Sequence, residues 1–298
     1  MPLIINADDF GLTPGVNRSV AELHQGHALS SATLMATAAF FIEAVAVAQA
    51  NPTLEVGCHV LLVDAIPALP PAQIPTLCPN GQSLRPGLSR FAIDLHTGRI
   101  RASEIEAEAT AQIRRLQAAG LRVSHIDTHK HTHVFPRVLR PLLRAARACG
   151  VPAIRNPFEP AWARRATPAT SLFRNLAVAA LNVHRGTFRR LVRASGLATT
   201  EGAIGVLATG VPDAAATLRS LLAAMPQSNA VWEFVCHPGY PDAHLAQVRT
   251  RLRDSRATEH AALLAMIPNS AVSLTSWASL SAATSAVSST HRAGHSQN

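Results

Sequence analysis

Short apolar runs alternate with longer amphipathic segments along most of the chain. The first unit begins with the apolar run Leu3–Ile5, which suits a buried parallel strand and is followed directly by polar residues. Thr13 and Pro14 then form a typical helix start, with Thr13 as the N-cap and Pro14 in the first turn. The amphipathic segment continues to His24, and Gly26 marks its end. The pattern predicts a strand, a polar loop and a helix.

The same unit recurs several times. The clearest helix covers residues 102–120, where Ser103 and Glu106 have the spacing of a capping box and Gly120 ends the segment. Apolar residues recur on one face of this helix at Ile105, Ala109, Ile113 and Leu116. Further strands are predicted within 28–37, 54–63, 121–127, 151–157, 203–209 and 230–240, and further helices within 41–51, 136–150 and 212–225.

This alternation predicts an α/β fold, a (β/α) barrel that is TIM-like or distorted, with parallel strands and outer helices. An open doubly wound sheet is the alternative. In either fold the active site lies at the carboxyl ends of the strands, because the connecting loops meet there. Six polar side chains occupy such strand ends: Asp8, Asp9, His59, His129, Arg155 and His237.

The chain is predicted to form one domain over residues 1–278. Residues 161–197 are too long for a simple connection, are rich in arginine and have an amphipathic pattern, which indicates a lid or a membrane-facing surface. Residues 279–298 are rich in serine and alanine, and we expect a disordered tail there.

Composition narrows the function classes. With 48% hydrophobic and 15% charged residues, the 298-residue chain is globular rather than disordered. The formal net charge of +9 raises nucleic acid as a partner, but arginine is spread along the chain and aromatic residues are only 4%, so no nucleic-acid partner is expected. The four cysteines form no CxxC motif, and no signal peptide or membrane-spanning run is recognisable. These features predict a cytoplasmic protein.

The stretch "IDTHKHTHVFP" (126–136) follows a predicted strand and is unusually rich in histidine. On an extended backbone His129, His131 and His133 would project to the same side. One of them could bind a metal ion while its neighbours bind substrate. A polar loop without a ligand is the other interpretation, and the stretch alone leaves both open.

Asp8 and Asp9 could divide two tasks, one binding a metal ion and the other acting as a base; an Asx turn before the first helix is the alternative. One aspartate and two histidines from separate strands have the composition of a catalytic divalent site with open positions. Such an ion activates water and polarises a carbonyl. His237 could protonate a leaving amine. Arg155 could hold the base ionised, or could pair on the surface with Glu159.

Five ordered motifs between residues 2 and 243 resemble the YdjC-like carbohydrate deacetylases, which include chitooligosaccharide deacetylase and the hopanoid biosynthesis-associated deacetylases. The motifs are "NADDFGLTPGVN", "GCHVLLVDAIPALPP", "HIDTHKHTHVFP", "AIRNP" and "EFVCHPGY". The resemblance implies a (β/α) barrel that removes acetyl groups from N-acetylated sugars with the help of a divalent metal ion.

The resemblance also implies roles for particular residues. The metal ligands fall on Asp9, His59 and His129, the base on Asp8 and the acid on His237. The family ion is described as magnesium, although two imidazoles would suit zinc better. We expect Arg155 to assist catalysis, and the substrate contacts to come from Asn6, His131 and His133.

The sequence departs from the chitooligosaccharide branch, since Lys130 stands where a histidine is common. "LLVDAIPALPP" is closer to the hopanoid-associated branch, and the amphipathic segment 161–197 would suit a lipid-linked amino sugar. The expected partners are therefore an N-acetylated sugar or glycolipid, with peripheral contact to membrane lipid; a homodimer is left open. Two alternatives remain: a hydrolase of the same architecture acting on a phosphoester or another amide, and a metal- or sugar-binding module without turnover.

Overall fold

The structure is a computed structural model that describes residues 1–167 and 178–293. Its core is a parallel sheet that is curled and surrounded by helices. The strands are β1 (Pro2–Phe10), β2 (Ser31–Leu34), β3 (Glu55–Val60), β4 (Val123–Thr128), β5 (Ala203–Ile204), β6 (Trp232–Cys236) and β7 (Ser273–Leu274). The α-helices are α1 (Pro14–Gln25), α2 (Phe41–Ala50), α3 (Leu88–His96), α4 (Ala102–Ala118), α5 (Pro136–Ala148), α6 (Ala161–Ala166), α7 (Arg185–Ser195), α8 (Ala214–Ala224), α9 (Ser255–Met266) and α10 (Trp277–Ala293).

The strands lie in the order β4-β3-β2-β1-β6-β5, all parallel, and β7 pairs with the start of β1. Single bridges join Ile126 to Ile154 and Ala153 to Ala198, and they continue the curl beyond β4. The predicted α/β fold of parallel strands and outer helices is confirmed, as a half-barrel consistent with a distorted (β/α) barrel. Because the strands are parallel, their carboxyl ends share one edge, and the polar residues predicted there are brought together.

Helix α4 shows how the apolar pattern positions an outer helix. The predicted apolar face of α4 is fully buried against the sheet. The predicted capping box is wrong: Arg101 precedes the helix without a side-chain cap, Ser103 lies within the first turn and Glu106 pairs with Arg144. Glu104 instead accepts hydrogen bonds from the backbone of the 76–77 turn, so this turn of α4 fixes a neighbouring loop.

The amino end of the barrel is filled by a stacked pair of side chains. The ring of His125 lies 4.2 Å from that of Trp277, with an interplanar angle of 13°, and both residues are fully buried. Gly57 is required beside them, since a Cβ there would come within 2.4 Å of the His125 ring. Glu55 accepts hydrogen bonds from the backbone N–H groups of Trp277 and Ala278 and so caps α10.

Several boundaries differ from the predicted ones. β1 continues through Asp8 and Asp9, so the predicted polar loop is part of the strand. The predicted strand 151–157 is reduced to single bridges, and β5 has only two residues. Helices α3 and α9 and strand β7 were not predicted, while α6 lies at the start of the amphipathic segment 161–197.

Two predicted segments, the tail from 279 and the region 161–197, differ in how far the structure describes them. Helix α10 covers Trp277–Ala293, where the sequence predicts a disordered tail from 279; residues 294–298 lie outside the described part. Within 161–197 the structure describes α6 and α7, while residues 168–177 lie outside it, so a lid or a membrane-facing surface stays a prediction. Within the described ranges, none of the helices has the length and apolar character needed to cross a membrane.

Candidate metal and catalytic site

Strand β1 carries two carboxylates into the carboxyl edge of the sheet. Asp8 and Asp9 are 2% and 3% exposed, which contradicts an exposed Asx turn. Asp9 has φ +65°, and the pairing of β1 with β2 shifts register between Ala7 and Phe10. This irregularity breaks the simple alternation of side chains along the strand, so both carboxylates reach polar partners around the same edge.

Asp9, His59 and His129 form a compact group of ligand atoms. The Nε2 atom of His59 lies 3.8 Å from Oδ1 of Asp9 and 3.3 Å from Nδ1 of His129. Nδ1 of His129 lies 3.6 Å from the same Asp9 oxygen. The three residues come from β1, β3 and the turn after β4, as parallel strand ends require.

These three residues fit a divalent metal ion. Ligand atoms about 2.0–2.2 Å from one ion lie roughly 3.0–3.6 Å from each other, close to the separations found here. Oδ1 of Asp9 is buried and has no hydrogen-bond partner among the described residues, although such an orphan oxygen is costly without a cation or donor. One carboxylate and two imidazoles leave further coordination positions for water or substrate.

Asp127, which the sequence analysis missed, orients His59. Its Oδ1 lies 2.8 Å from Nδ1 of His59, so that nitrogen donates and Nε2 faces Asp9 and His129. Burial opposes protonation of His59, but Asp127 and Asp8 outweigh it and raise the pKa of His59 to about 9. A bound cation would displace that proton, since metal ligation requires the neutral imidazole.

Arg155 is the centre of a buried ion-pair cluster. It is 0% exposed and donates to both oxygens of Asp8, at 2.8 and 2.7 Å. It also pairs with Asp127 and, at 2.8 Å through Nε, with Glu233. A surface pairing with Glu159 is therefore wrong: Glu159 accepts backbone hydrogen bonds around residues 205–207 instead.

The cluster controls the charge of Asp8 and Glu233. Burial would raise the pKa of Asp8, but Arg155, His59 and His237 hold it well below its usual range, so this carboxylate stays ionised. Glu233 shows the opposite balance: burial, reinforced by Asp127, outweighs Arg155 and raises the pKa of Glu233 to about 8. One guanidinium cannot compensate three buried carboxylates, and the proton resides on Glu233, which belongs to β6.

His237 lies on the other side of Asp8. Its Nε2 atom is 3.8 Å from Oδ2 of Asp8, and its backbone N–H donates to Glu259 at 2.7 Å. The side chain is 9% exposed, so one edge of the imidazole remains accessible from the mouth of the barrel. This position suits a group that exchanges a proton with a molecule bound beside Asp8.

The extended backbone predicted for the histidine stretch is wrong. Residues His129–Val134 form a tight turn in which Lys130 and His131 have φ of +55° and +52°, so the rings do not alternate as on a strand. His133 is fully buried, with Nδ1 2.7 Å from Oγ1 of Thr128. His131 is half-buried beside it, 6.2 Å between ring centroids.

Asn6, also predicted to bind substrate, is enclosed below the site. Its amide donates to Asp8 at 2.9 Å and to Thr33 at 3.1 Å, and its carbonyl oxygen accepts from Ser31 at 2.6 Å. With these partners and 0% exposure, Asn6 holds Asp8 in place, and the arrangement does not support direct substrate contact.

Comparisons with known proteins identify the family of this chain. A family model described as "YdjC-like protein" matches residues 2–267. A carbohydrate deacetylase of Brevibacillus brevis is 39% identical over 158 residues, 53% of this chain and 60% of the relative. A carbohydrate deacetylase of Vibrio parahaemolyticus is 32% identical over 51% of this chain and 58% of the relative. The chain thus spans somewhat more than half the length of these relatives.

A solved structure from Enterococcus faecalis V583, titled as a cellobiose-phosphate cleavage protein, covers nearly the whole chain. It superposes with a TM-score of 0.73 and 25% identity, over 94% of this chain and 98% of that one.

Proposed function

The chain belongs to the YdjC-like family, and on this premise we propose that it is a metal-dependent hydrolase that removes the acetyl group from an N-acetylated amino sugar. The observation that carries the proposal is the orphan Oδ1 of Asp9 facing two imidazole nitrogens, with the ionised Asp8 beside them. The names of the curated relatives supply the substrate class, carbohydrate, and the reaction, deacetylation.

The proposed roles follow from position and charge. A divalent ion held by Asp9, His59 and His129 would polarise the acetyl carbonyl and lower the pKa of water. Asp8 accepts a proton from the attacking water. Because its contacts with Arg155 make Asp8 a weak base, Asp8 would suit a water whose pKa a bound cation lowers. His237 gives a proton to the leaving amine.

The identity of the ion is a finer part of the proposal. The family resemblance names magnesium, whereas a donor set with two imidazoles favours zinc or another transition ion over magnesium, which prefers oxygen ligands. We therefore expect metal analysis to find a transition ion.

The specific substrate that we propose is a lipid-linked N-acetylglucosamine, such as a hopanoid glycolipid. The support is α7, which buries Phe188 and Val192 and exposes Arg189, Arg190 and Arg193, a face that suits contact with membrane lipid. All four cysteines are buried and free, in keeping with the proposed cytoplasmic location. A homodimer remains one option for the assembly.

The two alternatives, a hydrolase of a phosphoester or another amide and a binding module without turnover, have less support. Arg155, which could otherwise bind a phosphate, is enclosed by three carboxylates. A binding module without turnover would not need an ionised Asp8 with the His237 imidazole 3.8 Å away beside the ligand group.

Replacing His129 with alanine is expected to lower the affinity for a divalent ion by about 100-fold or more, because a ligand is lost directly. Acetate release should fall with it. The measurement is metal content by elemental analysis on the same samples that are assayed with N,N′-diacetylchitobiose and with an N-acetylglucosaminyl lipid.

His96→Ala is the matched control, since His96 is exposed on α3 and lies outside the ligand group. It should keep both metal and activity. A wild-type protein that releases acetate without metal would contradict the proposed mechanism, and one that binds metal without releasing acetate from any amino sugar would favour the binding module. The preferred substrate decides between the soluble and the lipid-linked sugar.

A further inference from the structure

We propose that Arg256, on α9, is a positioning residue that orients the Asp9 carboxylate for metal binding. The inference rests on the proposed metal site. Arg256 is 1% exposed, and its Nη2 donates to Oδ2 of Asp9 at 2.5 Å. With Oδ2 held in this way, the other oxygen, Oδ1, is the one that faces His59 and His129.

The backbone at Asp9 explains why such a hold is needed. A non-glycine residue at φ +65° is strained, and the surrounding structure must over-determine that conformation. Burial would raise the pKa of Asp9, but Arg256 and His129 keep it well below its usual range. The same guanidinium that selects the orientation of the carboxylate therefore also keeps it ionised.

Arg256 is itself fixed at several points. Its Nη1 donates to the backbone oxygen of His237 at 3.4 Å, and its own carbonyl accepts from Gly239 at 3.2 Å. Gly239 lies so close that a Cβ there would be 3.2 Å from Cδ of Arg256. One turn later, Glu259 accepts from the N–H of His237 at 2.7 Å.

Helix α9 has a further anchor one turn after Arg256. His260 lies 2.8 Å from Oγ of Ser19 on α1 and 2.9 Å from the hydroxyl of Tyr240. Because α9 is held against both α1 and the loop after β6, Arg256 reaches Asp9 from a rigid support. This is the arrangement that outer-sphere partners of metal ligands typically have.

The sign of the change in metal affinity distinguishes positioning from simple charge compensation. If Arg256 only neutralised Asp9, its removal would take a positive charge away from a cation site, and at a pH where Asp9 stays ionised the metal would bind more tightly. If Arg256 positions Asp9, its removal lets the carboxylate leave the ligand orientation and metal binds more weakly.

The test compares Arg256→Gln and Arg256→Lys with Arg251→Gln, whose arginine is exposed just before α9. The dissociation constant for Zn²⁺, and separately for Mn²⁺, is measured by competition with a chromophoric chelator, and circular dichroism checks the fold. We expect about 10–100-fold weaker binding for Arg256→Gln. Arg256→Lys should weaken metal binding less than Arg256→Gln, because lysine keeps the positive charge. It should still bind metal more weakly than the wild type, because lysine reaches Asp9 with a single donor group. Arg251→Gln should match the wild type.

Unchanged or tighter Zn²⁺ binding by folded Arg256→Gln overturns the proposal. If that variant does not fold, the outcome rests on Arg256→Lys, for which wild-type affinity overturns it and weaker binding supports it. The readout is independent of acetate release. A wild type that binds Zn²⁺ but releases no acetate contradicts the proposed reaction, while the effect of Arg256 on metal affinity is still measured. A wild type that binds neither Zn²⁺ nor Mn²⁺ overturns the proposal, whatever its activity.

Discussion

Replacing Asp8 with asparagine is expected to reduce acetate release by about 10²–10⁴-fold, the contribution of a general base, while a divalent ion stays bound. Asparagine has nearly the same shape but cannot accept a proton from water. It can still accept a hydrogen bond from Arg155 through its carbonyl oxygen. The proposed ligands are Asp9, His59 and His129, so metal content should remain near that of the wild type, whereas an ion held by the alternative group Asp8, His59 and Asp127 would be lost.

The measurement is steady-state acetate release together with metal content on one preparation. Asp254→Asn is the matched control, because Asp254 is exposed at the start of α9 and makes no capping hydrogen bond there. Full activity of Asp8→Asn would place the base elsewhere. Loss of metal together with activity would mean that Asp8 acts through the ligand group rather than on water.

Replacing Arg155 with methionine is expected to lower the free energy of unfolding by about 3–5 kcal/mol, the usual cost of breaking a buried ion pair. The variant leaves Asp8, Asp127 and Glu233 buried without their cation. Some of these carboxyl groups must then take up protons in order to stay buried. Urea unfolding of the metal-free protein measures the difference.

The pH dependence of this loss has a defined sign. In the wild type the pKa of Asp8 is depressed, so its contribution is present above the unfolded-state pKa and is lost as pH falls through the folded pKa. Without Arg155 the pKa of Asp8 should rise above the unfolded value, and Asp8 should then disfavour folding as pH increases. The stability difference between wild type and variant should therefore be larger near pH 7 than near pH 4.

Arg190→Met is the control for this experiment, since Arg190 is exposed on α7 and its loss should change stability by no more than about 0.5 kcal/mol. A loss below about 1 kcal/mol for Arg155→Met, or a loss equal at both pH values, would show that the cluster does not depend on the guanidinium.

The ligand group could be predicted because strand ends in a parallel fold converge. Asp9, His59 and His129 each follow or end an apolar run, and that placement is readable from the sequence. Asp127 was missed because the histidines around it drew the assignment of the ligands, and Glu233 because it lies between Trp232 and Phe234; each acts through another residue. A charge inside an apolar run, as in "VWEFVC", is the available signal for such a buried partner.

Other features had no local signal. Arg256 belongs to a helix that meets Asp9 from the far end of the sequence, and nothing near residue 256 indicates the contact. The turn at Lys130 and His131 has positive φ without glycine, so the usual turn residues gave no warning. The capping box at Ser103 failed because the helix begins at Ala102, which makes Arg101 the N-cap and places Ser103 inside the first turn.

The stacked pair of His125 and Trp277 has a consequence for the chemistry at the opposite end of the barrel. Arg155 acts on His125 electrostatically, and burial together with that charge holds the pKa of His125 well below its usual range, so the ring is neutral. Neutral aromatic surface beneath the cluster keeps solvent from entering along the barrel axis. Trp277, the first residue of α10, thus helps to keep the local dielectric constant low. At a low dielectric constant the ion pairs that set the charge of Asp8 are strong.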